Sequence, residues 1–167
     1  MDPFDLIFRR LSLEAEVAII GPLTVEFRPM WIWGSPDEYM DASGFAFGAS
    51  LVFYPGGKPM DGFWLKAYGG YETKGATLTH PAGAIQEQNV SSPIFGLMLG
   101  SSNVFGRAGG FILSGGAGIG VATADPVVMG VEAFDPAYGQ ITRIEYTFYD
   151  KASRIKLLTS LAMGVAF

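Results

Sequence analysis

The chain ends in IKLLTSLAMGVAF, residues 155–167, and this stretch decides the fold class. Its residues alternate in character with a period of two, which is the period of a β-strand. One face is mostly large and apolar and comprises Leu157, Thr159, Leu161, Met163, Val165 and Phe167. The other face is mostly small or polar and comprises Lys156, Leu158, Ser160, Ala162, Gly164 and Ala166. This division is typical of a transmembrane β-strand with lipid outside and a filled lumen inside.

The composition of the whole chain favours the same fold class. Charged residues make up 16% of the 167 residues, against about 25% in soluble domains, while apolar residues make up 49% and aromatic residues 14%. No window reaches the roughly 18 uninterrupted apolar residues of a membrane-spanning helix. Because only helices and closed barrels satisfy the backbone in lipid, we predict an all-β protein. It would be a single antiparallel, up-and-down transmembrane β-barrel domain over residues 1–167.

Charge and cysteine content narrow the function classes. The net charge is −5 with a pI of about 4.7, and without a basic stripe we expect no nucleic-acid partner. The sequence contains no cysteine, which excludes disulfides and thiolate metal sites, and we expect no cofactor. Residues 1–5 lack the basic and apolar regions of a signal peptide. A cytosolic protein, a removed signal peptide or a late start would each explain this, and the strand pattern favours the last two.

The same alternation predicts six more strands before the terminal one. They cover residues 11–20, 23–33, 45–54, 63–79, 95–100 and 111–122. Single-chain bacterial barrels have an even number of strands, eight being the smallest, so we expect an eighth strand at residues 3–8 or at residues 140–150. Short turns lie on the periplasmic side and long loops outside, which favours residues 3–8. The extracellular loops are then residues 34–43, 80–92 and a long insertion at about 125–154. The insertion is too apolar for an idle loop, so we expect it either to fold over the barrel mouth or to bind something outside.

Six charged residues fall on the face that we predict to line the lumen. They are Glu14, Glu16, Glu26, Arg28, Lys66 and Glu72. A charge on the lipid face would cost about 2–4 kcal/mol at the midplane, and an eight-stranded interior is just wide enough for side chains. We therefore predict a salt-bridge network that fills the lumen; a gated ion path and catalytic paired carboxylates are the alternatives. The glycines of residues 115–120 are predicted to make room for large luminal residues such as Trp64, Tyr68 and Met30.

His80, the only histidine, precedes Pro81 in a predicted loop. Barrel acyltransferases and deacylases of outer membranes use a histidine as general base beside a serine or an acid. Glu87, Ser91 and Ser92 are near His80 in the sequence. No recognisable motif connects these residues, so we expect a surface histidine. A metal site is not expected either, since His80 has no partner histidine or cysteine.

Six motifs are distributed along the chain in a characteristic order. They are Asp2-Pro3-Phe4, Leu11-Ser12-Leu13-Glu14-Ala15-Glu16, Gly44-Phe45-Ala46-Phe47-Gly48 with Phe53-Tyr54-Pro55, Gly62-Phe63-Trp64, Gly110-Phe111-Ile112-Leu113-Ser114-Gly115-Gly116-Ala117-Gly118, and Gly164-Val165-Ala166-Phe167. This set resembles a family of small eight-stranded outer-membrane β-barrel proteins of Gram-negative bacteria, in which a strand usually precedes the first motif. The chain differs from the family pattern at Ala15, at Val165 and in the insertion. The resemblance implies a location and a fold, but no reaction.

The end of the chain resembles a recognition signal in its own right. A terminal Phe167 with apolar Val165 and Met163 two and four places before it is similar to the last strand that the outer-membrane assembly machinery recognises. This resemblance implies that the assembly machinery is a partner of the chain, in addition to membrane lipid.

Three hypotheses for function remain. The first is a non-enzymatic outer-membrane β-barrel of the cell envelope, structural or surface-binding through its extracellular loops, with a ligand that the sequence does not name. The second is a soluble, lipocalin-like barrel with its apolar faces turned inward around a ligand. The third is a lipid-modifying enzyme that uses His80. The small residues on the charged face favour the first, because they suit a narrow lumen and would make a bare surface in water.

Overall fold

A computed structural model describes residues 10–79, 85–106, 110–135, 140–149 and 154–166. These residues form ten β-strands, all in antiparallel pairs. The strands are β1 (Arg10–Ser12), β2 (Ala15–Ile20), β3 (Leu23–Asp37), β4 (Met40–Phe53), β5 (Gly62–Thr79), β6 (Ile85–Phe105), β7 (Gly110–Ala122), β8 (Val127–Asp135), β9 (Gln140–Tyr149) and β10 (Ile155–Ala166). The predicted all-β fold class is confirmed. Eight strands form one sheet that curls into a half-barrel, and β8 and β9 form a second, two-stranded sheet.

The first two strands are parts of one interrupted strand. β1 and β2 both pair with β3, and the interruption covers Leu13 and Glu14. The Leu13 amide still donates a hydrogen bond to the Pro29 carbonyl, at 3.1 Å. The main sheet therefore has seven strand positions, in the order β1–β2, β3, β4, β5, β6, β7 and β10. They correspond to the seven strands that the alternation predicts.

Tight turns and the terminal strand lie where the sequence places them. Gly21 between β2 and β3 and Gly57 between β4 and β5 have φ angles of 51° and 76°, a left-handed conformation that favours glycine. β10 pairs with β7 along its whole length, from Ile155 opposite Val121 onward. We call the end of the sheet that holds these two turns the lower end, and the opposite end the upper end.

Two predicted loops are shorter than expected. The loop predicted at residues 34–43 is reduced to a two-residue turn between β3 and β4, and the loop predicted at residues 80–92 gives way to β6 from Ile85 onward. The reason is β5, whose 18 residues offer backbone partners to both neighbouring strands as far as Thr79. Polar residues remain in the strand there because the hydrogen-bond ladder does not depend on apolar side chains.

The insertion at about 125–154 is a hairpin rather than an irregular loop. Residues 140–149 do form a strand, β9, but it pairs with β8 and stays off the main sheet. The alternative that placed the eighth strand at residues 140–150 is therefore wrong in its pairing. The other candidate, residues 3–8, lies outside the described residues.

The two faces of the main sheet differ in polarity, and the apolar face is the outer one. Leu97 and Leu157 on the outer face are 68% and 76% exposed, whereas Trp64 on the inner face is 1% exposed. The buried charged residues Glu26 and Lys66 lie on the inner face as well. This orientation is the opposite of the one that a lipocalin-like barrel requires.

Candidate functional site

The interior is organised around an ion pair that spans three strands. Lys66 on β5 and Glu26 on β3 are buried and form a salt bridge across the intervening β4. Ser50 of β4 donates a longer hydrogen bond to the same carboxylate, at 3.4 Å between Oγ and Oε1. Glu26, Ser50 and Lys66 can meet because their side chains point to the same, inner face of the adjacent strands β3, β4 and β5.

A second group of polar residues connects the first strands of the sheet to its last strand. Arg28 Nε lies 3.3 Å from Glu14 Oε1, and Arg28 Nη2 donates a hydrogen bond to Ser12 Oγ at 3.0 Å. Ser160 on β10 donates to the same Glu14 oxygen at 3.3 Å. Glu14 thus joins β3 to β10, the last strand of the sheet.

Glu16 is held at the lower end by two hydroxyl groups. Thr24 donates to Glu16 Oε1, and so does the Tyr54 hydroxyl at 2.8 Å. Tyr54 follows the last residue of β4 and is buried. Glu16 therefore joins β2 to β3 and to the end of β4.

A fourth group lies towards the upper end, where Glu72 sits between two lysines. Its oxygens are 3.3 Å from Lys74 Nζ and 3.1 Å from Lys156 Nζ. The Lys156 ammonium also lies 4.9 Å from the centre of the Tyr149 ring, within the range of a cation–π interaction. Glu72 therefore connects β5 to β10, and Lys156 connects β10 to β9.

Each sequence-predicted luminal residue lies in one of these four groups, and two further residues join them. Lys74 and Lys156 are not among the predicted site residues. Both occupy positions that face inward in the alternation of their strands, and Lys74 is two residues from Glu72 on the same face. The alternation alone could therefore have found them. The network then holds four carboxylates (Glu14, Glu16, Glu26, Glu72) and four cations (Arg28, Lys66, Lys74, Lys156).

Aromatic rings fill the lower half of the interior, and glycine pairs make room for them. A Cβ on Gly100 or on Gly116, which are paired across β6 and β7, would lie 2.3 Å from the Trp64 ring. The pair Gly48 and Gly70 accommodates the Tyr68 ring in the same way. Trp64 packs in a buried cluster with Val52, Tyr54 and Met98, against which Leu158 lies. Gly116 therefore makes room for Trp64, as predicted, whereas the space for Tyr68 comes from Gly48 and Gly70.

A cavity of about 460 Å³ remains between the ion pairs and this aromatic cluster. Its wall combines charged side chains with apolar and aromatic ones. It includes Glu26, Arg28, Met30, Tyr68, Glu72, Ile94, Met98, Lys156 and Leu158. Residues 155–159 of β10 form one side of it. The cavity therefore extends to the edge of the sheet.

The β8–β9 hairpin covers the upper end of the interior. Met129 and Val131 of β8 are buried against Met40, Ala76 and Leu78 on the inner face of β4 and β5. Gln86 Nε2 donates a hydrogen bond to the Gly130 carbonyl at 2.6 Å, which links β8 to β6. Tyr39 and Tyr146 form an edge-on ring contact with centres 6.4 Å apart. The insertion is thus packed into the mouth of the half-barrel.

The remaining predicted site residues do not form a second site within the described part of the chain. Val165 and Met163 lie on the exposed outer face of β10, and Phe167 and His80 lie outside the described residues. Ser91 is exposed on the outer face of β6 and donates to Thr73 Oγ1. Ser92 is buried on the opposite face, where its hydroxyl accepts hydrogen bonds from two backbone amides. In the ranges that the structure describes, no group of three acidic, histidine or cysteine residues could hold a metal ion.

Comparisons with known proteins give no match of any kind. No family model, no curated protein and no solved structure matches the chain. Among the residues that the structure describes, no helix is long and apolar enough to cross a membrane. The arguments for function therefore rest on the chain itself.

Proposed function

We propose that the chain is a membrane-embedded β-barrel of the bacterial outer membrane, which acts as a filled anchor and presents its extracellular segments at the cell surface. The observation that carries this proposal is the inverted polarity of the main sheet. Large apolar residues remain exposed on the outer face at each of its seven strand positions, among them Val17, Phe27, Phe47, Leu65, Leu97, Ile119 and Leu157. Soluble monomers rarely expose more than a few hundred Å² of contiguous apolar surface, and larger patches mark membrane or protein contacts.

The interior supports an anchor rather than a conducting pore. Its four carboxylates and four cations are paired with each other or with hydroxyls, so the described network has no net charge to select an ion. The aromatic cluster around Trp64 fills the lower half, and the β8–β9 hairpin covers the upper half. Side chains fill the interior of small barrels in this way.

The exposed surface of the hairpin is the region that we assign to surface binding. It carries the exposed apolar residues Val128, Ile141 and Ile144 beside the ion pair of Arg143 and Glu145. Length and apolar content favour a functional role for such an insertion. Membrane lipid would contact the outer face of the sheet, and the assembly machinery would recognise the end of β10, where Met163 and Val165 face outward.

The proposal is tested by refolding the full chain from denaturant into detergent and, separately, into plain buffer. We expect a β-rich species in detergent only, and we expect its mobility on a gel to change when the sample is boiled. A monodisperse, folded protein in plain buffer would overturn the membrane proposal, because the outer apolar face would then be stable in water.

A further inference from the structure

The outer face of β4, β5 and β6 changes from apolar to polar part of the way up the sheet. On β5 the apolar part covers residues 63–71 and ends at Tyr71, which is 40% exposed. A transmembrane β-strand needs about 9–11 residues, and tyrosine is enriched where a membrane meets water. β5 continues upward from Tyr71 to Thr79. If the outer face lies in lipid, the upper parts of these three strands therefore stand at the level of the lipid headgroups and beyond.

Above Tyr71, the pairing of β4, β5 and β6 arranges the outward residues in three rows that cross the strands. From the lowest row upward they are Phe45, Thr73 and Ser91; then Ser43, Gly75 and Asn89; then Asp41, Thr77 and Glu87. We call the residues of these three rows the polar stripe. Each row lies two residues, roughly 6.6 Å, above the one before. The stripe is therefore a continuous polar surface directly above the apolar part of the same face.

Two contacts hold polar groups of the stripe in place. The Ser91 hydroxyl donates a hydrogen bond to Thr73 Oγ1 at 3.0 Å. The Asn89 side chain lies over Gly75, where its Oδ1 would be 2.7 Å from an added Cβ. Long charged side chains such as lysine and glutamate lose the most rotamer freedom when they are ordered, and serine, threonine and asparagine are shorter. A ligand would therefore meet hydroxyl and amide groups that are already positioned.

The charge of the stripe disfavours an anionic partner. The stripe holds the carboxylates of Asp41 and Glu87 and contains neither lysine nor arginine, whereas anionic headgroups are recognised by clusters of lysine and arginine. The outward surface of the β8–β9 hairpin differs, because it carries the exposed side chains of Glu132, Arg143 and Glu145. Such mixed charges are typical of a water-facing surface. The stripe instead suits a neutral partner rich in hydroxyl groups, which can both donate and accept hydrogen bonds.

We propose that the polar stripe is a docking surface for the neutral sugar headgroups of membrane glycolipids. The proposal rests on the membrane-embedded function, because lipid reaches the stripe only when the outer face below it lies in a bilayer. The acyl chains pack on the exposed outer face around Phe47 and Leu65, and the attached sugars extend upward over the stripe. Their hydroxyls form hydrogen bonds with Thr77 and Asn89, while the Tyr71 ring packs against the apolar face of a sugar.

Photolabelling of the full chain in phosphatidylcholine vesicles tests this surface. The probe is a trace of digalactosyl diacylglycerol that carries a diazirine on its terminal sugar. The matched control probe is phosphatidylcholine with a diazirine on its headgroup, at the same mole fraction. After irradiation, mass spectrometry compares the adducts on residues 85–93, at the upper end of β6, with those on residues 99–105, at its lower end. We expect the ratio of upper to lower adducts to be severalfold higher with the glycolipid than with the control probe.

Substitutions on the outer face identify the residues that recognise the sugar. The double variant Thr77→Val, Asn89→Ala removes a hydroxyl and an amide from the stripe and leaves the inner face unchanged. Its ratio for the glycolipid should fall to that of the phosphatidylcholine probe. Ser101→Ala removes an exposed hydroxyl from the same face of β6 near its lower end, so the ratio should stay high. A mobility shift on boiling verifies that each variant has folded before irradiation.

Each other outcome overturns the docking surface. Equal ratios for the two lipid probes would show that the stripe does not recognise sugars, and an unchanged ratio in the double variant would assign the labelling to other residues. Competition by free digalactose at the total concentration of the glycolipid would assign the stripe to a soluble saccharide, because a sugar held at the membrane has a higher effective concentration. A chain that folds in vesicles but does not prefer the glycolipid would leave the proposed function intact, whereas a chain that folds in plain buffer would remove both.

Discussion

The two faces of β5 differ in a way that reverses the usual arrangement of a soluble protein. Leu65 on the outer face is 44% exposed, while the neighbouring Lys66 on the inner face is 5% exposed. In water this arrangement would expose apolar surface. It would also remove the charges of Lys66 and its partner Glu26 from solvent, at a cost of several kcal/mol per ion. In lipid the outer face is solvated by hydrocarbon and the charges are kept out of it. The comparison shows that the surroundings of the sheet, and not its hydrogen-bond pattern, decide which face is the favourable exterior.

The largest expected effect comes from breaking the buried ion pair on the inner face. Lys66→Met leaves the Glu26 carboxylate buried without its ammonium partner, so we expect the free energy of unfolding to fall by about 3–5 kcal/mol. Urea unfolding of the chain in lipid vesicles, followed by the mobility shift on a gel, measures the change. The double variant Glu26→Gln, Lys66→Met removes both charges and should recover most of the loss. If the single and the double variant had the same free energy of unfolding, this result would contradict the buried pair.

A charge on the outer face gives the next largest effect. Leu97→Lys places an ammonium on the exposed outer face of β6, and a lysine at the bilayer midplane costs about 2–4 kcal/mol. We expect this loss in unfolding measurements in vesicles. If the outer face were in contact with water instead, the same substitution would change stability by only about 0.5 kcal/mol in either direction. Leu97→Ala controls for the lost side-chain volume, since it shortens the residue without adding a charge.

The glycine pairs offer a smaller and more local test of the interior. Gly116→Ala places a methyl group 2.3 Å from the Trp64 ring, and overpacking of this kind costs about 1–3 kcal/mol. The neighbouring Gly115→Ala is a matched control on the outer face, where the nearest atom, Leu161 Cδ1, is 3.5 Å away. We expect the first variant to lower the urea midpoint and the second to leave it nearly unchanged. Trp64→Phe combined with Gly116→Ala should restore part of the loss, because the smaller ring leaves space for the methyl group.

The same comparison of faces explains how much the sequence could predict. The alternation in β10 and β5 can be recognised in the sequence because the two faces of each strand meet different environments. Lys66 and Glu72 could therefore be placed inside from their alternate positions alone. Their partners could not be identified in this way. Glu72 meets Lys156 across the lumen, and this contact depends on how the sheet curls. The pairing of β8 with β9 and its contacts could not be predicted for a similar reason, since the burial of Met129 and Val131 depends on the upward extension of β4 and β5.

The smallest expected effect concerns the attachment of the hairpin to the main sheet. Gln86→Ala removes the hydrogen bond to the Gly130 carbonyl, and a neutral hydrogen bond contributes about 0.5–1.5 kcal/mol. Global stability should change little, because the apolar contact of Met129 remains. Amide hydrogen exchange should become faster in β8 and β9 and stay unchanged in β4 and β5. Gln88→Ala is a control on the same strand, where the side chain is exposed. Faster exchange throughout β4 and β5 would instead mean that the hairpin and the main sheet unfold as one unit, so that the cap is an integral part of the barrel.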